Sequence, residues 1–387
     1  MDLRNLPQDM SAHECVDERR ARIENKLDVD LSALVISNTQ IGQAEEKNCE
    51  QMFGAVLVPV GLAGPLKITF SSGETRDVYL PLATTEGALV ASVNRAAKAL
   101  SNSGGVRVSS EYVGITRSIA FAAKNVKKIS LAIRKLEKDW KQVAEATSKH
   151  LKILSYDIDA SGGVVFLTIA ADTDEAMGMN MITIAAQAAG EFIAHTLKIK
   201  MLTVAGNVDS DKKPSRRTKK YGRGYRVHAE AVIDAKTVRD VLKSDIDDIC
   251  ATARAKLDVG TKVAGALGKN LHAANVVAAA YLALGQDVAH VVEGSLADTT
   301  VRKVKGGVLL LVDLPAVLVG VRGGGTELPA QKQCLNLILK QKTTLRPSTQ
   351  LAETIGAAVL AGELSLLAAQ ATNTLARSHK KLARGGA

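Results

Sequence analysis

Apolar and polar positions are spread unevenly along the 387-residue chain. Residues 1–50 are polar, and the pieces "ECVDERRARIENKL" and "QAEEKNCEQ" read as surface helices able to serve an interface. An apolar run follows, "AVLVPVGLAGPLKI" at 55–68, which Pro59, Gly61, Gly64 and Pro65 cut into strand and turns. The period then changes. Leu89, Val93, Ala96 and Leu100 recur at helical spacing, with Thr84 or Thr85 as N-cap, which puts Glu86 in the first turn of that helix.

Residues 118–205 form the most legible module. "SIAFAA" reads as a strand, and from Asn125 the positions Val126, Ile129, Ile133, Leu136, Trp140 and Val143 trace one face of a single long helix. "LKILSYDI" and "GGVVFLTIAA" are two strands turning at 159–163, "AMGMNMITIAAQAAGEFIAHTL" is a second helix, and "KIKMLTVAG" is a last strand. The order β-α-β-β-α-β is the ferredoxin-like pattern. The expected fold is therefore α+β: a large mixed domain, residues 1–117 and 205–387, with a small domain inserted at 118–204. Behind it come a basic stretch at 212–228, a helix around 235–251, a Gly/Ala-rich segment, the strand-like "GGVLLLVDLPAVLVGV" and a long Ala/Leu-rich helix at about 351–378.

Composition narrows the function classes. Lys plus Arg exceed Asp plus Glu by 50 − 40 = 10, which suits phosphate-bearing partners. Cys15, Cys49, Cys250 and Cys334 lie far apart and form no CxxC pair, so neither a disulfide framework nor a metal site is expected. The amino end has no apolar signal core, and no uninterrupted apolar run reaches the about 20 residues of a membrane span. The chain reads as cytoplasmic.

Candidate chemistry begins at "GNVDSDKKPS", where Pro214 forbids a continuing helix behind Lys213. Lys212 and Lys213 thus stand on a turn beside Asp209 and Asp211, either as a solvated ion-paired loop or as an ammonium held, by Asp211, for a developing oxyanion. Glu86 is a first-turn acid or a general acid; Asp287, behind Gly285 at a helix end, reads as a cap for the next helix. His272 suits an apolar core and His379 a helix end. "MGMN" opens a helix where free amides and Gly178 make an anion site, and "GGGT" at 323–326 lets a backbone approach a ligand. No GxGxxG follows a strand, which disfavours a Rossmann site. "KKPSRRTKKYGRGYRVH", with Tyr221 and Tyr225 interleaved, supports a rival reading as a nucleic-acid binder over residues 212–228.

"PVGLAGPL", "LATTEGALVAS", "EAMGMNM", "GNVDSDKKP", "HAANVVAAAYLALGQD", "GGGTELPAQKQCL" and "LAGELSLLAAQATNTLARSH" follow in this order. Together they closely resemble the 3-hydroxy-3-methylglutaryl-CoA (HMG-CoA) reductases, in the soluble class I catalytic region without a membrane anchor. The resemblance implies reduction of HMG-CoA to mevalonate and CoA with two NADPH, in the isoprenoid (mevalonate) pathway. It also implies a homodimer, open to further assembly, whose active site forms between subunits.

The same resemblance implies individual roles. Glu86 matches the proton donor, Lys212 the group that stabilises the oxyanion, Asp287 the aspartate linking the two, and His379 the residue that protonates the CoA thiolate. Arg117, Asp211, Lys213, Lys256, His272 and Asn275 match substrate contacts, and Ser92, Asn94, Arg95, Lys98 and Lys243 match CoA contacts. For NADPH the matches are Met177, Gly178, Met179 and Asn180, Ser148 and Lys149 near the extra phosphate, and Gly323, Gly324, Gly325 and Thr326 opposite. The chain departs from the family pattern at Gln51, Lys149, Glu175, Ala205 and Arg322. Lys149 replaces an arginine and cannot make its bidentate phosphate contact, which leaves NADPH against NADH open.

Overall fold

The computed structural model describes residues 2–372. Its strands are β1 (Val60–Thr69), β2 (Thr75–Ala83), β3 (Val106–Ala122), β4 (Lys152–Ser161), β5 (Val164–Asp172), β6 (Met201–Thr203), β7 (Gly224–Asp234), β8 (Asp298–Val304) and β9 (Gly307–Val317). The larger sheet runs β2-β1-β3-β7-β9-β8, antiparallel except for a short parallel contact of β1 with β3. The smaller runs β4-β5-β3-β6 with antiparallel neighbours, the order and directions of a βαββαβ module.

One strand belongs to both sheets. β3 spans 17 residues, pairing with β7 from Arg107 to Gly114 and with β5 from Ile115 to Ala122. Gly114 stands at the handover with φ +88, and a Cβ there would come within 3.0 Å of the Ala171 carbonyl. Only glycine meets both demands at no cost.

Each sheet carries its own core. The smaller packs Trp140, Ile133, Phe121, Leu167 and Ile182 beneath its helices. The larger packs against the helix Pro347–Ala371, whose apolar residues lie on every side, the pattern of a buried helix. That helix is long and apolar enough to cross a membrane by length and composition, yet its most apolar window is 94% buried among the surrounding elements. Its two interior acids have partners. Glu353 accepts from Ser71 N (3.0 Å) and Ser110 Oγ (2.8 Å). Glu363 accepts from the Leu271 and His272 amides (both 2.8 Å) and Thr299 Oγ1 (2.7 Å).

Several local expectations change. The single helix from Asn125 is two, Val126–Lys135 and Glu137–Glu145, because Leu136 leaves helical geometry (ψ 11) and the Trp140 indole donates to the Ile133 carbonyl at the break (3.2 Å). The helix expected around 235–251 is also two, Ala235–Asp240 and Ile246–Ala253, capped by Asp234 and Asp245, with Lys243 at φ +54 between them. The long helix begins at Pro347, a residue suited to a first helical turn, earlier than expected. β7 lay hidden in the basic stretch, although Val227, Ala229, Ala231 and Ile233 alternate there with Arg226, His228 and Glu230.

Candidate active site

A cleft of about 890 Å³ opens between the start of the helix Met179–Leu197, the Asp211–Lys212 turn, the Gly285–Asp287 turn and the Gly323–Thr326 turn. Its size is ordinary for a small-molecule site. Sequence distance is bridged by glycine. A Cβ at Gly285 would overlap the Gly325 carbonyl, so the two glycine turns touch backbone to backbone and set Asp287 beside the glycine-rich wall. Gly178 caps the helix at φ +88, and a Cβ there would fall inside the Thr173 side chain. Gly323 and Gly324 also have positive φ, with open space where their Cβ atoms would stand.

Lys212 is the hinge of the site. Its backbone is left-handed (φ +57), a conformation unfavourable for a lysine, and Glu293 Oε1 accepts its N–H at 2.7 Å. Its ammonium meets Asp287 Oδ2 at 2.8 Å. Asp287 also caps the turn behind it, its Oδ1 accepting from Ala289 N (3.0 Å). Burial pushes the Asp287 carboxyl up, but the Lys212 hydrogen bond and the charge of His290 outweigh it and hold the carboxyl below its usual range.

The aspartates of the loop do something other than expected. Asp211 does not hold Lys212; its carboxylate is taken by Arg223 (2.8 Å) and Arg117 (3.6 Å). Burial raises the Asp211 carboxyl, and the Arg223 charge and hydrogen bond bring it below normal. Asp209 is more deeply enclosed: despite Arg223 and Arg117, with which it pairs at 3.2 Å, burial keeps its carboxyl raised. Lys213 turns its ammonium back to the Asp211 carbonyl (3.0 Å).

Arg223 escaped sequence reading because it sits inside the basic stretch. It is 1% exposed, and its Nη1 lies 2.8 Å from both Asp211 Oδ1 and Glu293 Oε1. Nε donates to Thr116 Oγ1 (3.0 Å) and Nη2 to Met179 Sδ (3.0 Å), so one guanidinium joins β3, the lysine loop and the helix at the cleft. Asp211, His290 and Glu293 hold donor atoms within 4.8 Å of one another, and the Arg223 guanidinium supplies positive charge among them.

Part of the basic stretch is tied into ion pairs. Arg217 pairs with Asp157 and Asp159 (3.0 Å each), and Lys219 with Asp298 (2.8 Å). Carboxylates of neighbouring elements take those two charges, Arg216, Lys220 and Arg226 stay exposed, and neither the fold nor the cleft lends the nucleic-acid reading support.

Among the residues singled out in sequence, the cleft gathers Arg117, Asp211, Lys212 and Asp287 with Ser148, Met177–Asn180 and Gly323–Thr326. Others lie elsewhere. Glu86 is exposed in the loop before the helix Leu89–Asn102, not in its first turn, because Thr84 Oγ1 takes the Glu86 N–H (2.9 Å) and the helix starts after Ala88 without a side-chain cap. On that helix Asn94 accepts from Gly64 N (3.0 Å), Arg95 donates to the Ser365 carbonyl (2.6 Å), and Ser92 and Lys98 remain beside them. Lys149, Lys243 and Lys256 are exposed outside the cleft lining. His272 and Asn275 begin the helix Ala273–Ala283, with the His272 amide held by Glu363. His379 lies outside the described residues. Glu175, a departure from the family pattern, accepts from Arg346 Nε (3.2 Å) and Ser348 N (2.9 Å), bracing the start of the long helix.

Comparison with known proteins follows the same line. The family profile described as hydroxymethylglutaryl-coenzyme A reductase matches residues 15–384. The 3-hydroxy-3-methylglutaryl-coenzyme A reductase of Methanocaldococcus jannaschii is 39% identical over 377 residues, 95% of this chain and 92% of that protein. The enzyme of the same name from Aeropyrum pernix is 38% identical over 386 residues, 97% of this chain and 91% of its own length. Among solved structures, the class II 3-hydroxy-3-methylglutaryl-CoA reductase from Streptococcus pneumoniae bound to NADPH superposes with a TM-score of 0.68 at 16% identity. It covers 91% of this chain and 96% of that one, a likeness of fold.

Proposed function

The chain belongs to the hydroxymethylglutaryl-coenzyme A reductase family, and from that membership we propose that it reduces HMG-CoA to mevalonate. In the balanced reaction HMG-CoA, two NADPH and two protons give mevalonate, CoA and two NADP+. The observation that carries this reading is the 2.8 Å contact of Lys212 with Asp287 at a cleft walled by two glycine turns.

The cleft residues fit a dinucleotide phosphate. Bare backbone at Gly178, Gly323 and Gly324 permits close approach, and the first amides of the helix Met179–Leu197 favour an anion. NADPH, when bound, supplies hydride. The chain's part is electrostatic. A thioester oxygen is neutral until hydride arrives, then anionic, and the Lys212 ammonium gains most at that moment. Asp287 holds the ammonium in place beforehand. In the same reading Glu86 delivers protons and His379 protonates the departing thiolate. Lys213, Lys256, His272 and Asn275 meet the substrate, with Arg117 and Asp211 at the cleft, and the helix Leu89–Asn102 with Lys243 meets CoA. The module at 118–204 serves as the cofactor domain, in a cytoplasmic protein.

Glu86 stands outside the cleft of its own chain. That placement supports a homodimer in which Glu86 faces the partner's Lys212 turn. An exposed apolar strip, with Val56 81% and Leu57 76% exposed, offers surface for such a contact. The test is direct: purified protein given HMG-CoA and NADPH loses two equivalents of reduced-cofactor absorbance per thioester, with NADH run in parallel. No oxidation of either nucleotide would end the reading.

A further inference from the structure

His290 is a fully buried ring whose two nitrogens have no hydrogen-bond partner, and Glu293 Oε2 beside it has none either. Orphaned polar atoms in an interior are costly, so their arrangement needs a reason. The ring stands between carboxylates. Nε2 faces Asp287 Oδ2 at 3.6 Å, while Nδ1 faces Glu293 Oε2 at 3.5 Å and Asp211 Oδ1 at 3.9 Å.

Those carboxylates grip the lysine at both ends. Asp287 Oδ2 takes its ammonium (2.8 Å) and Glu293 Oε1 its backbone N–H (2.7 Å). A closed circuit results: Lys212 backbone, Glu293, His290, Asp287, Lys212 ammonium. We propose that His290 is a positioning residue, donating from the buried side toward Asp287 and Glu293 so that the pair holds Lys212 where hydride transfer needs it. The inference rests on the roles given above to Lys212 and Asp287.

A ring with hydrogens on both nitrogens donates in both directions; a ring with one cannot. The 3.5–3.6 Å separations lie just beyond a full hydrogen bond, and such contacts commonly tighten once substrate is bound. The charged and titratable groups around the ring are few. Asp211 and Lys212 come from the loop, Asp287 from the preceding turn and Glu293 from the following one; Arg223 acts through both Asp211 and Glu293, Arg117 through Asp211, and Tyr281 faces Asp287 and Glu293 from the helix Ala273–Ala283. The His290 charge is among the causes that lower the Asp287 carboxyl, after burial, which raises it, and the Lys212 hydrogen bond.

The experiment compares full-length wild type, His290→Phe and His290→Gln. Phenylalanine fills the space without a donor; kcat falls about 100-fold, the loss expected of a displaced catalytic group, and KM for HMG-CoA stays within about twofold. Glutamine, donating at one end, recovers part of the loss. The acid limb of the kcat profile moves to higher pH in His290→Phe, because Asp287 loses a group that favours its ionised form. A merely structural histidine would lower the thermal midpoint yet leave kcat per folded site and the pH limb alone; that result overturns the proposal. Should His290→Phe not fold, a wild-type kcat in His290→Gln overturns it equally. Should wild type itself not oxidise NADPH with HMG-CoA, the functional reading has failed instead. The placement is then judged by 15N NMR: the His290 ring resonances, assigned with His290→Gln, must shift in Asp287→Asn, and unmoved resonances reject it.

Discussion

Replacing Lys212 by alanine separates catalysis from stability. The ion pair with Asp287 joins side chains that are 42% and 36% exposed, so solvent screening leaves it worth about 0–1 kcal/mol to the fold. The left-handed backbone at 212 is as unfavourable for alanine as for lysine. Glu293 keeps its bond, since it accepts from the main-chain N–H. Lys212→Ala should therefore fold, with a thermal midpoint within a few degrees of wild type. Catalysis is another matter. A preorganised donor lost from a developing oxyanion costs about 3–4 kcal/mol, or about 100- to 1,000-fold in kcat. The variant also deprives Asp287 of the hydrogen bond that opposes burial, so the acid limb of any residual activity should move to higher pH. Stopped-flow or steady-state NADPH oxidation at saturating HMG-CoA, beside differential scanning calorimetry, measures both effects. A kcat within about tenfold of wild type, with the fold intact, would refute the oxyanion role.

Three further outcomes are expected. Mixing refolded Glu86→Gln and Lys212→Ala subunits should restore about a quarter of wild-type activity if each site of a two-fold dimer draws on both chains, and nothing if the sites lie within one chain. Gly178→Ala should lower stability by about 1–2 kcal/mol or more, because φ is +88, and should raise KM for NADPH; an unchanged KM would remove that turn from the cofactor site. Asp234 caps the helix Ala235–Asp240, and its hydrogen bonds with Thr237 hold its carboxyl down at about 2. Its ordinary value is about 3.9, so the stabilisation is complete above that pH and is lost as pH falls toward 2. Asp234→Ala should therefore cost about 1 kcal/mol near neutrality, and chemical denaturation should show the gap closing in acid.

Much of the small module was legible because its elements are strongly periodic and bounded by turn residues, as at Asn125, which caps its helix by accepting from Lys128 N (3.0 Å). The breaks inside helices were not legible. Leu136 carries a favourable helix residue, and what ends the helix there is the fit of Trp140 into the core beneath. β7 was masked by charge: Arg226, His228 and Glu230 dominate the stretch to the eye, while the alternating Val227, Ala229, Ala231 and Ile233 do the packing. Lys212 was legible as a lysine on a turn. Its partner was not, since Asp211 is its sequence neighbour and Asp287 its spatial one.

From the chain alone came the ordered motifs, the alternation of strand and helix over residues 118–205, and the lysine, aspartate and glycine residues that the structure gathers at the cleft. Those properties are local, set by spacing and side-chain chemistry. Only the packed structure decided which carboxylate meets which cation. Arg223 took Asp211 and so left Lys212 to Asp287. His290 and Glu293 closed the circuit behind them, and Glu86 stayed outside. Charges pair by distance and burial, and neither is a property of sequence position.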